Sequence, residues 1–568
     1  MSDSDASDYE LEREANIARN REILAQLDMD MPTIPIPIKR KEAPSTKAKP
    51  IQPSKKAKRE KTTPVAPTRQ SARLRKTVAD PNESPSKKRK REQEEERQRK
   101  TEEEERLEAE ERAREAKRPR HQDLDLPILI QDMDVDEIPS LRTTLEAVTQ
   151  EKYPKRTAEK EAFVFNEDDK KEEAIISELK EKFQCLKVVS RAKVTQDRIY
   201  SAAYHPEPTK DLIFFGDKHG QLGIWDARAA SDEAADEDGD VTASDDREGG
   251  RYWRLQVHWP ATSKSSISTV KLDPVNAHSV YTSAYDCTIR SLSFESGISR
   301  EIYSTEDALI SSIDLPPDGN EMWISDALGG LTHLDLREEK SKARWYQVSD
   351  QKVGSVSVNP TNPHYLVTAS NSRALRIWDA RRLENIAVQS APSSSRHDRD
   401  QPFEFENSVV EEYIASPKGK AVMRAEWKHN KSVSSAYWDA RGRSVVSTSY
   451  DDNIRLWEFN SSVLGRDSVF PSSRPFKQIR HNCQTGKWLT ILKAQWTPNP
   501  DTYPHFTIGN MEHSLDIFSC KGDLLARLSD RQRITAVQAV TCSHPSVVER
   551  AASGNASGRC ILWAPPGE

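Results

Sequence analysis

A segment near the C-terminal end of the sequence combines cations, a tryptophan and a polar turn. It reads RHNCQTGKWLTILKAQW from Arg480 to Trp496. Cations such as Lys487 can contact phosphates, Trp488 could stack on an unpaired base, and Gly486 permits a tight turn. An ordinary hairpin with Trp488 packed inward fits the same pattern, so both interpretations stay open at this point.

Residue patterns that would support catalysis or metal binding are missing from the sequence. The pair Gly486-Lys487 is not part of a phosphate-binding GxxxxGK[ST] loop, and no GxSxG or HExxH motif occurs. His205, His258 and His544 stand beside Pro or Trp at predicted turns, which favours structural roles. The six cysteines form no CxxC pair, so we expect reduced, mostly buried thiols. We predict a non-enzymatic protein without a cofactor or a metal.

A second kind of candidate is an arginine that closely follows a strand-closing aspartate. WDAR occurs twice, ending at Arg228 and Arg381, and the related LDLR ends at Arg337. An arginine in this pattern can form an internal ion pair with the aspartate. Alternatively, the aspartate holds the arginine so that it projects from one face of the protein towards a partner.

The elements that must carry these residues repeat along the sequence. The stretch from Leu366 to Arg381, LVTASNSRALRIWDAR, alternates apolar and polar residues as a half-buried β-hairpin does. Seven copies follow one another from about residue 193, with the spacing of roughly 40 to 45 residues that is typical of a four-stranded propeller blade. The fold is therefore predicted to be all-β, a seven-bladed β-propeller over residues 183–568. The tryptophans of the closing strands are predicted to be blade cores: Trp225, Trp378, Trp457 and Trp563.

The N-terminal third is predicted to be a long, largely disordered basic region with short helices. The whole chain is only 35% hydrophobic and 31% charged, which is unusual for a fully packed protein. Residues 1–30 contain an amphipathic pattern over 9–27, residues 31–120 form a charged tail with a solvated helix over 92–118, and residues 121–182 lead into the propeller and cover its edge. The stretches 229–250 and 390–401 are predicted to be exposed loops.

Charge is strongly segregated along the chain. Between Lys39 and Arg91 there are nineteen Lys or Arg residues against four acidic ones, a local charge of +15, whereas the whole chain carries −6. Runs such as KKRKR at Lys87 suit nuclear import and phosphate contact. We therefore expect a nuclear protein that faces a polyanion. No signal peptide and no apolar run of 18 residues occur, so we expect no membrane partner.

Several of these stretches together resemble a known family. They are RHNCQTGKWLTILKAQW, the two WDAR boxes, SAAYHPEPTKDLIFFGDKHGQLGIWD from Ser201 and the N-terminal YELEREANIARNREILAQL. They resemble the fungal damaged-DNA-binding WD-repeat proteins, relatives of the small subunit of the UV-damaged DNA-binding complex. The resemblance implies a nuclear, seven-bladed WD40 propeller that binds DNA, with a preference for UV-damaged duplex, in the DNA damage response.

In that small subunit, a hairpin bearing an aromatic residue, Gln and His wedges into the groove at the lesion. This sequence has Arg480, His481 and Gln484 in the corresponding loop, with Asn482 and Cys483 where the aromatic wedge is expected. Wedging favours an apolar tip. The polar tip therefore predicts a modest preference for damage and broader binding, including undamaged duplex and single strands.

The remaining candidates follow from the predicted blade geometry. Cations in the loops of several blades are expected to converge at one mouth of the central channel and to contact phosphates there. The complete set of predicted DNA-binding residues is Arg198, Lys218, His219, Lys264, Lys352, Arg373, Lys431, Arg480, His481, Gln484, Lys487, Trp488, Arg531 and Arg533.

A different class of function also fits the sequence. The WDAR boxes resemble those of WD-repeat proteins that dock onto the large adaptor subunit of cullin-RING ubiquitin ligases. That resemblance makes Arg228 and Arg381 candidate adaptor-binding residues, and Arg337 a third that lacks the Trp. The alternative function is thus a substrate receptor of such a ligase, or a chromatin scaffold that binds histone tails in the channel.

Overall fold

A computed structural model of the chain describes residues 121–130, 137–165, 170–230, 248–387, 402–483, 486 and 489–567. Within these ranges the chain forms seven antiparallel sheets arranged as a β-propeller, which confirms the predicted fold. The predicted N-terminal helix, the charged tail, most of both predicted exposed loops and the residues Gln484, Lys487 and Trp488 lie outside the described residues.

Each blade has four strands that run in sequence from the channel to the rim. Blade 1 contains β3 (Ile199–Tyr204), β4 (Leu212–Asp217), β5 (Gln221–Asp226) and β6 (Arg251–Gln256). Blade 2 contains β7 (Ile267–Leu272), β8 (Ser279–Ala284), β9 (Thr288–Ser293) and β10 (Ile298–Ser304). Blade 3 contains β11 (Ile310–Asp314), β12 (Glu321–Asp326), β13 (Gly330–Asp335) and β14 (Arg344–Gln347).

The remaining blades repeat this order. Blade 4 contains β15 (Val353–Val358), β16 (Tyr365–Ser370), β17 (Ala374–Asp379) and β19 (Met423–Lys428). Blade 5 contains β20 (Val433–Trp438), β21 (Ser444–Ser449), β22 (Asn453–Glu458) and β23 (Lys477–Arg480). Blade 6 contains β24 (Gln495–Trp496), β25 (His505–Gly509), β26 (Leu515–Ser519) and β27 (Leu524–Leu528). Blade 7 contains β28 (Gln538–Ser543), β29 (Ala551–Asn555) and β30 (Arg559–Ala564), with β2 (Lys187–Lys193) as its outermost strand.

The ring is closed by strands from both ends of this part of the chain. Strand β2 pairs antiparallel with β30, so the seventh blade is completed by residues that precede the first. The innermost strands of neighbouring blades contact each other in ring order, and β28 contacts β3. Closure leaves no blade without a neighbour, so every sheet can bury both of its apolar faces.

Packing between the blades explains the alternation in the sequence. Trp225, Trp378, Trp457 and Trp563 are all buried, which confirms their predicted role as blade cores. Buried polar pairs add specific contacts at the blade edges. For example, the ring nitrogen Nδ1 of His258 lies 3.1 Å from a carboxylate oxygen of Asp286, and its Nε2 lies 2.9 Å from the hydroxyl of Thr282. This histidine is structural, as its position beside Trp259 suggested.

The propeller has two faces that carry different loops. We call upper the face formed by the connections between blades and by the loops between second and third strands. We call lower the face formed by the loops between first and second strands and between third and fourth strands. Because neighbouring strands are antiparallel, every loop can be assigned to one face from its position in the blade.

The first described segment covers the outer side of blades 1 and 2. Strand β1 (Leu124–Asp125) pairs with β10 as a fifth strand of blade 2. Helices α1 (Leu126–Leu129) and α2 (Ile138–Ala147) bury Leu126, Leu141 and Leu145 in the cluster that contains Trp253. On blade 3, β18 (Phe403–Phe405) similarly adds a parallel edge strand. These additions cover strand edges that would otherwise remain unpaired.

The chain then crosses the lower face. Backbone N–H groups of Tyr153, Lys155 and Ala158 donate to carbonyls in loops of blades 2 and 5, at 3.0, 2.7 and 3.2 Å. Arg156 forms an ion pair with Asp501 of blade 6. Residues 152–158 therefore form a strap that touches several blades across the lower mouth of the channel.

The strap leads into a helix at the edge of blade 6. Helix α3 (Lys170–Gln184) buries Leu179 and Phe183 in the cluster that contains Leu528 of β27. Helices α4 (Ala380–Leu383), α5 (Asn407–Ala415) and α6 (Ser461–Leu464) lie in the long connections that precede the fourth strands of blades 4 and 5. No helix among the described residues is long and apolar enough to cross a membrane.

Candidate nucleic-acid interface

The predicted cations that the structure describes lie on one face, the upper one. All but Arg480 belong to a connection between blades or to a loop between second and third strands, and Arg480 ends strand β23 at the same face. Five of them are exposed, and no side-chain partner is found for them among the described residues. These are Lys264, Arg373, Lys431, Arg480 and Arg531. Lys218 is half-buried and likewise makes no side-chain hydrogen bond within the described part of the chain.

Other predicted residues are already engaged within the protein. The ring of His219 lies 2.7 Å from the carboxylate of Asp197, and the Lys352 ammonium donates to the hydroxyl of Tyr285 at 2.7 Å. Arg533 donates to the carbonyl of Val188 at 2.9 Å, and Arg198 is half-buried. These side chains are held by the fold, and a phosphate would have to compete with their present partners.

His481 departs most from the expectation that it lies at a binding surface. It is buried, its backbone N–H donates to the carbonyl of Asp452 at 3.1 Å, and its ring lies 3.5 Å from the sulfur of Cys483. Burial lowers the pKa of His481, so the ring is neutral near pH 7. Cys483 is buried too, and burial raises the pKa of its thiol to about 12. Both side chains support the start of the loop in the position shown.

The last part of this distinctive segment, from Thr490 onwards, reaches the inner wall of the ring. The hydroxyl of Thr490 donates to the carbonyl of Ile199 in blade 1 at 2.5 Å, and Ile491 and Lys493 line the channel. The turn around Gly486 lies mostly outside the described residues, so its predicted role stays a prediction.

The upper-face cations form separate patches and do not meet at one channel mouth. Arg373 and Lys431 line one surface cavity of about 570 Å³ between blades 4 and 5, together with Asp350 and Tyr450. Arg533 lines another cavity, of about 330 Å³, at blade 7. The physical reason is that the cations are distributed over the loops of several blades, and the blades are arranged radially. Mutual repulsion also disfavours bringing these charges together at the axis.

The sequence analysis missed three side chains in these patches. Tyr450 puts an aromatic ring in the cavity of Arg373 and Lys431. Arg191 and Arg559 join Arg533 in the second cavity. Tyr450 could have been found as the aromatic residue of a loop between second and third strands. Arg191 could not, because it belongs to the N-terminal strand that completes the last blade.

Arg373 also has an unusual backbone conformation. Its φ is +70°, in the left-handed region. Gly220, Gly329 and Gly558, and also the non-glycine residues Cys287 and Asp452, have the same kind of φ at the corresponding position before the third strands of other blades, so this conformation is a feature of the turn. A side chain other than glycine is disfavoured in this region, so Arg373 is held there at an energetic cost.

Carboxylates share this face, and several of them are neutralised locally. Asp451 pairs with Arg455 at 2.7 Å, and Glu512 with Arg527 at 3.4 Å. Other carboxylates of this face, such as Asp307, are exposed and lower the net positive charge that a ligand meets. Asp350 remains beside Arg373 and Lys431 and offsets part of their charge.

The three predicted adaptor-binding arginines lie on the lower face, opposite the cations. Arg381 donates from Nε and Nη2 to the two carboxylate oxygens of Asp379, at 3.0 and 2.9 Å, and its side chain is 57% exposed. Arg337 makes the same bidentate pair with Asp335, at 2.9 and 2.7 Å, and is 61% exposed. The missing Trp in LDLR thus does not alter the geometry.

Arg228 differs from the other two, although its box is WDAR. Its guanidinium pairs with Asp211, a buried residue that precedes β4, instead of the aspartate of its own box, Asp226. Only 20% of its side chain is exposed. The expectation that the preceding Trp-Asp pair holds Arg228 is therefore wrong, because the partner comes from the neighbouring strand and not from the motif.

Among the described residues, no group of three His, Cys, Asp or Glu side chains is placed to hold a metal ion. His205 and His544 are buried, and burial lowers the pKa of each to about 4. In both rings, Nδ1 accepts backbone N–H groups, while Nε2 lies 3.1 Å from a backbone carbonyl. These contacts explain why both histidines are part of the scaffold.

Comparisons with known proteins agree with this architecture. A family model described as WD domain, G-beta repeat matches residues 423–458. The chain is 39% identical over 481 residues to the DNA damage-binding protein CMR1 of Cryptococcus neoformans var. neoformans serotype D, covering 77% of this chain and 80% of that protein. It is 32% identical over 540 residues to the protein of the same name from Mycosarcoma maydis, covering 76% and 81% of the two chains.

Among solved structures, the chain is similar to the crystal structure of Chaetomium thermophilum Raptor. The TM-score is 0.44 and the sequence identity is 13%, and the match covers 67% of this chain and 29% of that one. A similarity at this level supports no conclusion about function.

Proposed function

Since the chain belongs to the CMR1 family of DNA damage-binding proteins, we propose that it binds DNA through the upper face of its propeller. We further propose that it binds duplex and single-stranded DNA with a modest preference for UV-damaged duplex, and that it acts in the nucleus in the response to DNA damage. Binding, and not catalysis, is the function that this assignment describes.

The observation that carries the proposal is the cavity between blades 4 and 5. It presents the exposed cations Arg373 and Lys431 beside the aromatic ring of Tyr450. Cations that lack an internal partner can release condensed counterions when they contact phosphates, which is a large favourable term in DNA binding. An aromatic ring at the same place offers a surface on which an unpaired base can stack.

The expected mode of recognition is contact with the backbone. The two patches, one between blades 4 and 5 and one at blade 7, can touch separate phosphates without reading the sequence. The loop after β23 gives little support for wedging at a lesion, because Cys483 is buried and Thr490 is anchored to blade 1. A damage preference would then depend on how easily damaged DNA is deformed across the patches.

The test is a salt titration of DNA affinity with a pair of matched double variants. Arg373→Gly/Lys431→Ala removes both cations, and glycine suits the left-handed φ at position 373. The control, Lys418→Ala/Lys420→Ala, removes two exposed charges from the connection between the third and fourth strands of blade 4. The first variant should reduce the slope of log K against log[salt] by about 1.8 for duplex, or ~0.9 per lost phosphate contact. The second should leave the slope unchanged.

The same titration separates the propeller from the basic tail. Full-length protein and a chain starting at His121 should be compared on intact duplex, UV-irradiated duplex and single strands. If the upper face binds, the shorter chain keeps measurable affinity, and this affinity is sensitive to Arg373→Gly/Lys431→Ala. If the chain starting at His121 binds DNA equally well with and without Arg373→Gly/Lys431→Ala, the proposed interface is refuted.

The second candidate function is docking to the adaptor of a cullin-RING ligase through the lower face. Arg381 and Arg337 favour it, because each is held in a fixed orientation by two hydrogen bonds and remains largely exposed. Arg381→Ala/Arg337→Ala should remove adaptor co-purification without affecting DNA binding. Retained adaptor in this variant would rule out the assignment. Arg228→Ala is unsuitable for this test, since it would leave Asp211 short of a partner inside the fold.

Binding of histone tails within the channel receives less support. The strap of residues 152–158 crosses the lower mouth, and Thr490 reaches across the upper one. A tail would have to displace one of these segments to pass through the ring.

A further inference from the structure

The channel of the propeller contains a cavity bounded by the two crossing segments. Its volume is about 460 Å³, and its lining includes residues 152–156 of the strap on the lower side. Ile491 and Lys493, from the loop after β23, line it as well. The innermost strands supply the walls.

Three lysines from three different parts of the chain line this cavity. Lys155 comes from the strap, Lys271 from β7 and Lys493 from the loop after β23. The Lys271 ammonium lies 3.0 Å from a carboxylate oxygen of Asp314, and Lys155 donates to the carbonyl of Leu315 at 3.2 Å. For the Lys493 ammonium, no hydrogen-bond or ion-pair partner exists among the described residues.

The charges of the lining do not balance. It contains five cationic side chains and two carboxylates, Asp273 and Asp314. One of the cations, Arg156, has a partner outside the cavity in Asp501. Asp314 is already saturated, because its second oxygen accepts the backbone N–H of Val358 at 2.8 Å. An excess of positive charge therefore remains in the interior of the ring.

Such an excess is unfavourable without a counter-charge. Burial, and then the nearby charges of Lys352 and Lys271, lower the pKa of Lys493 to about 8. Burial also lowers the pKa of Lys155. Its side chain nevertheless keeps accessible surface, because the cavity is wide enough to hold water. Near pH 7 the Lys493 amine is nevertheless mainly protonated. Cations that repel one another around one cavity destabilise a fold unless an anion compensates them.

We propose that this cavity is a binding site for a small phosphorylated anion, held by Lys155, Lys271 and Lys493. The site is separate from the DNA interface, since it lies inside the ring between the two crossing segments. It has room for one or a few phosphate groups and not for a nucleic-acid strand. The bound anion would join the strap and the loop after β23 to the inner wall of the propeller.

Phosphate fits the site better than a carboxylate does. Ammonium groups bind phosphate oxygens as point charges from several directions. Tyr437, Tyr200 and Thr541 also line the cavity. The Thr541 hydroxyl already lies 3.0 Å from that of Thr507, so the tyrosine hydroxyls are the ones that can donate to the remaining oxygens. Burial raises the pKa of Tyr437 well above its ordinary value, so its hydroxyl keeps its proton for such a bond.

The proposal is tested with full-length protein and three anions: inorganic phosphate, pyrophosphate and tripolyphosphate. Thermal unfolding and calorimetric titration should be compared with chloride at the same ionic strength. We expect saturable binding of at least one phosphate anion and an increase in Tm, since a ligand that binds the folded state stabilises it. Lys493→Met and Lys155→Met should each weaken the affinity by about tenfold or more, the size expected for one charged hydrogen bond.

A matched control is Lys420→Met, which removes an exposed lysine of the connection before the fourth strand of blade 4, on the lower face, and should leave phosphate binding unchanged. Lys493→Met should fold, because it removes a repelling charge from the interior. Wild-type protein that gains no more Tm from the phosphate anions than from chloride would overturn the proposal. So would equal affinity in Lys493→Met, Lys155→Met and wild type. Phosphorus NMR of acid-extracted purified protein then distinguishes inorganic phosphate from an organic phosphate ester as the natural ligand.

Discussion

The WDAR box of blade 4 is the outer part of a buried charge network. Breaking this network should lower the free energy of unfolding of the propeller. Asp379 is completely buried and accepts hydrogen bonds from Arg381 and from Arg424. Arg424 is itself buried, donates to the carbonyl of Ser468 at 2.8 Å and lies with its guanidinium 5.5 Å from the ring centre of Tyr365. Asp379→Ala would leave the buried Arg424 guanidinium with only the exposed carboxylate of Asp467, at 3.0 Å, as a counter-charge.

The size of the effect follows from this burial. Removing one partner of a buried pair destabilises a fold by about 3–5 kcal/mol. At about 2.1 cal/mol/K per residue, the ~380 residues from β2 to β30 unfold with an entropy of roughly 0.8 kcal/mol/K if the ring melts as one unit. Asp379→Ala should therefore lower the Tm by about 4–6 °C.

The assay is thermal unfolding near pH 7, with two further variants as controls. Asp335→Ala removes the equivalent aspartate of blade 3, whose partner Arg337 is on the surface, and should not change the Tm measurably. Asp379→Leu/Arg424→Met replaces both buried charges and should recover much of the loss, because no unpaired charge remains. An equal Tm for Asp379→Ala and Asp335→Ala would refute the reasoning.

Three further predictions follow from the same structure. Burial lowers the pKa of His205 and His544 to about 4, whereas a histidine in an unfolded chain has a pKa of ~6.5. Between these two pH values the unfolded state binds more protons than the folded state. The free energy of unfolding therefore falls as the pH drops through this window. The fall in Tm between pH 7 and pH 5 should be smaller in His544→Asn, and an unchanged dependence would contradict this account. A chain starting at Val194, which lacks β2, should fail to close the ring and should aggregate, whereas one starting at His121 should elute as a folded monomer or defined oligomer in gel filtration; folding of the shorter chain would contradict the closure argument. Arg228→Ala should lower the Tm more than Arg337→Ala, because Asp211 is buried and Asp335 is not, and the opposite order would contradict the assignment of Arg228 as an internal residue.

The sequence predicted the repeats well and the environment of individual cations less well. Seven blades, their order and the burial of Trp225 or Trp563 follow from alternation within short segments. The placement of the cations on one face also follows, since it depends only on the position of each loop within its blade. Their grouping into patches, the burial of His481 and the aromatic partner Tyr450 depend on which blades become neighbours, and the local pattern does not contain that information.

Local alternation of apolar residues was enough to determine the strands, the number of blades and the face on which each loop lies, because these features need only neighbouring residues and the antiparallel order. The tertiary structure alone decided three other features. They are the partner of Arg228, the strap over the lower mouth, and the cavity that Lys155, Lys271 and Lys493 line together. Each of these features joins residues that are far apart in the chain. Ring closure brings such residues together, and the energy of a charged group depends on everything packed around it in three dimensions.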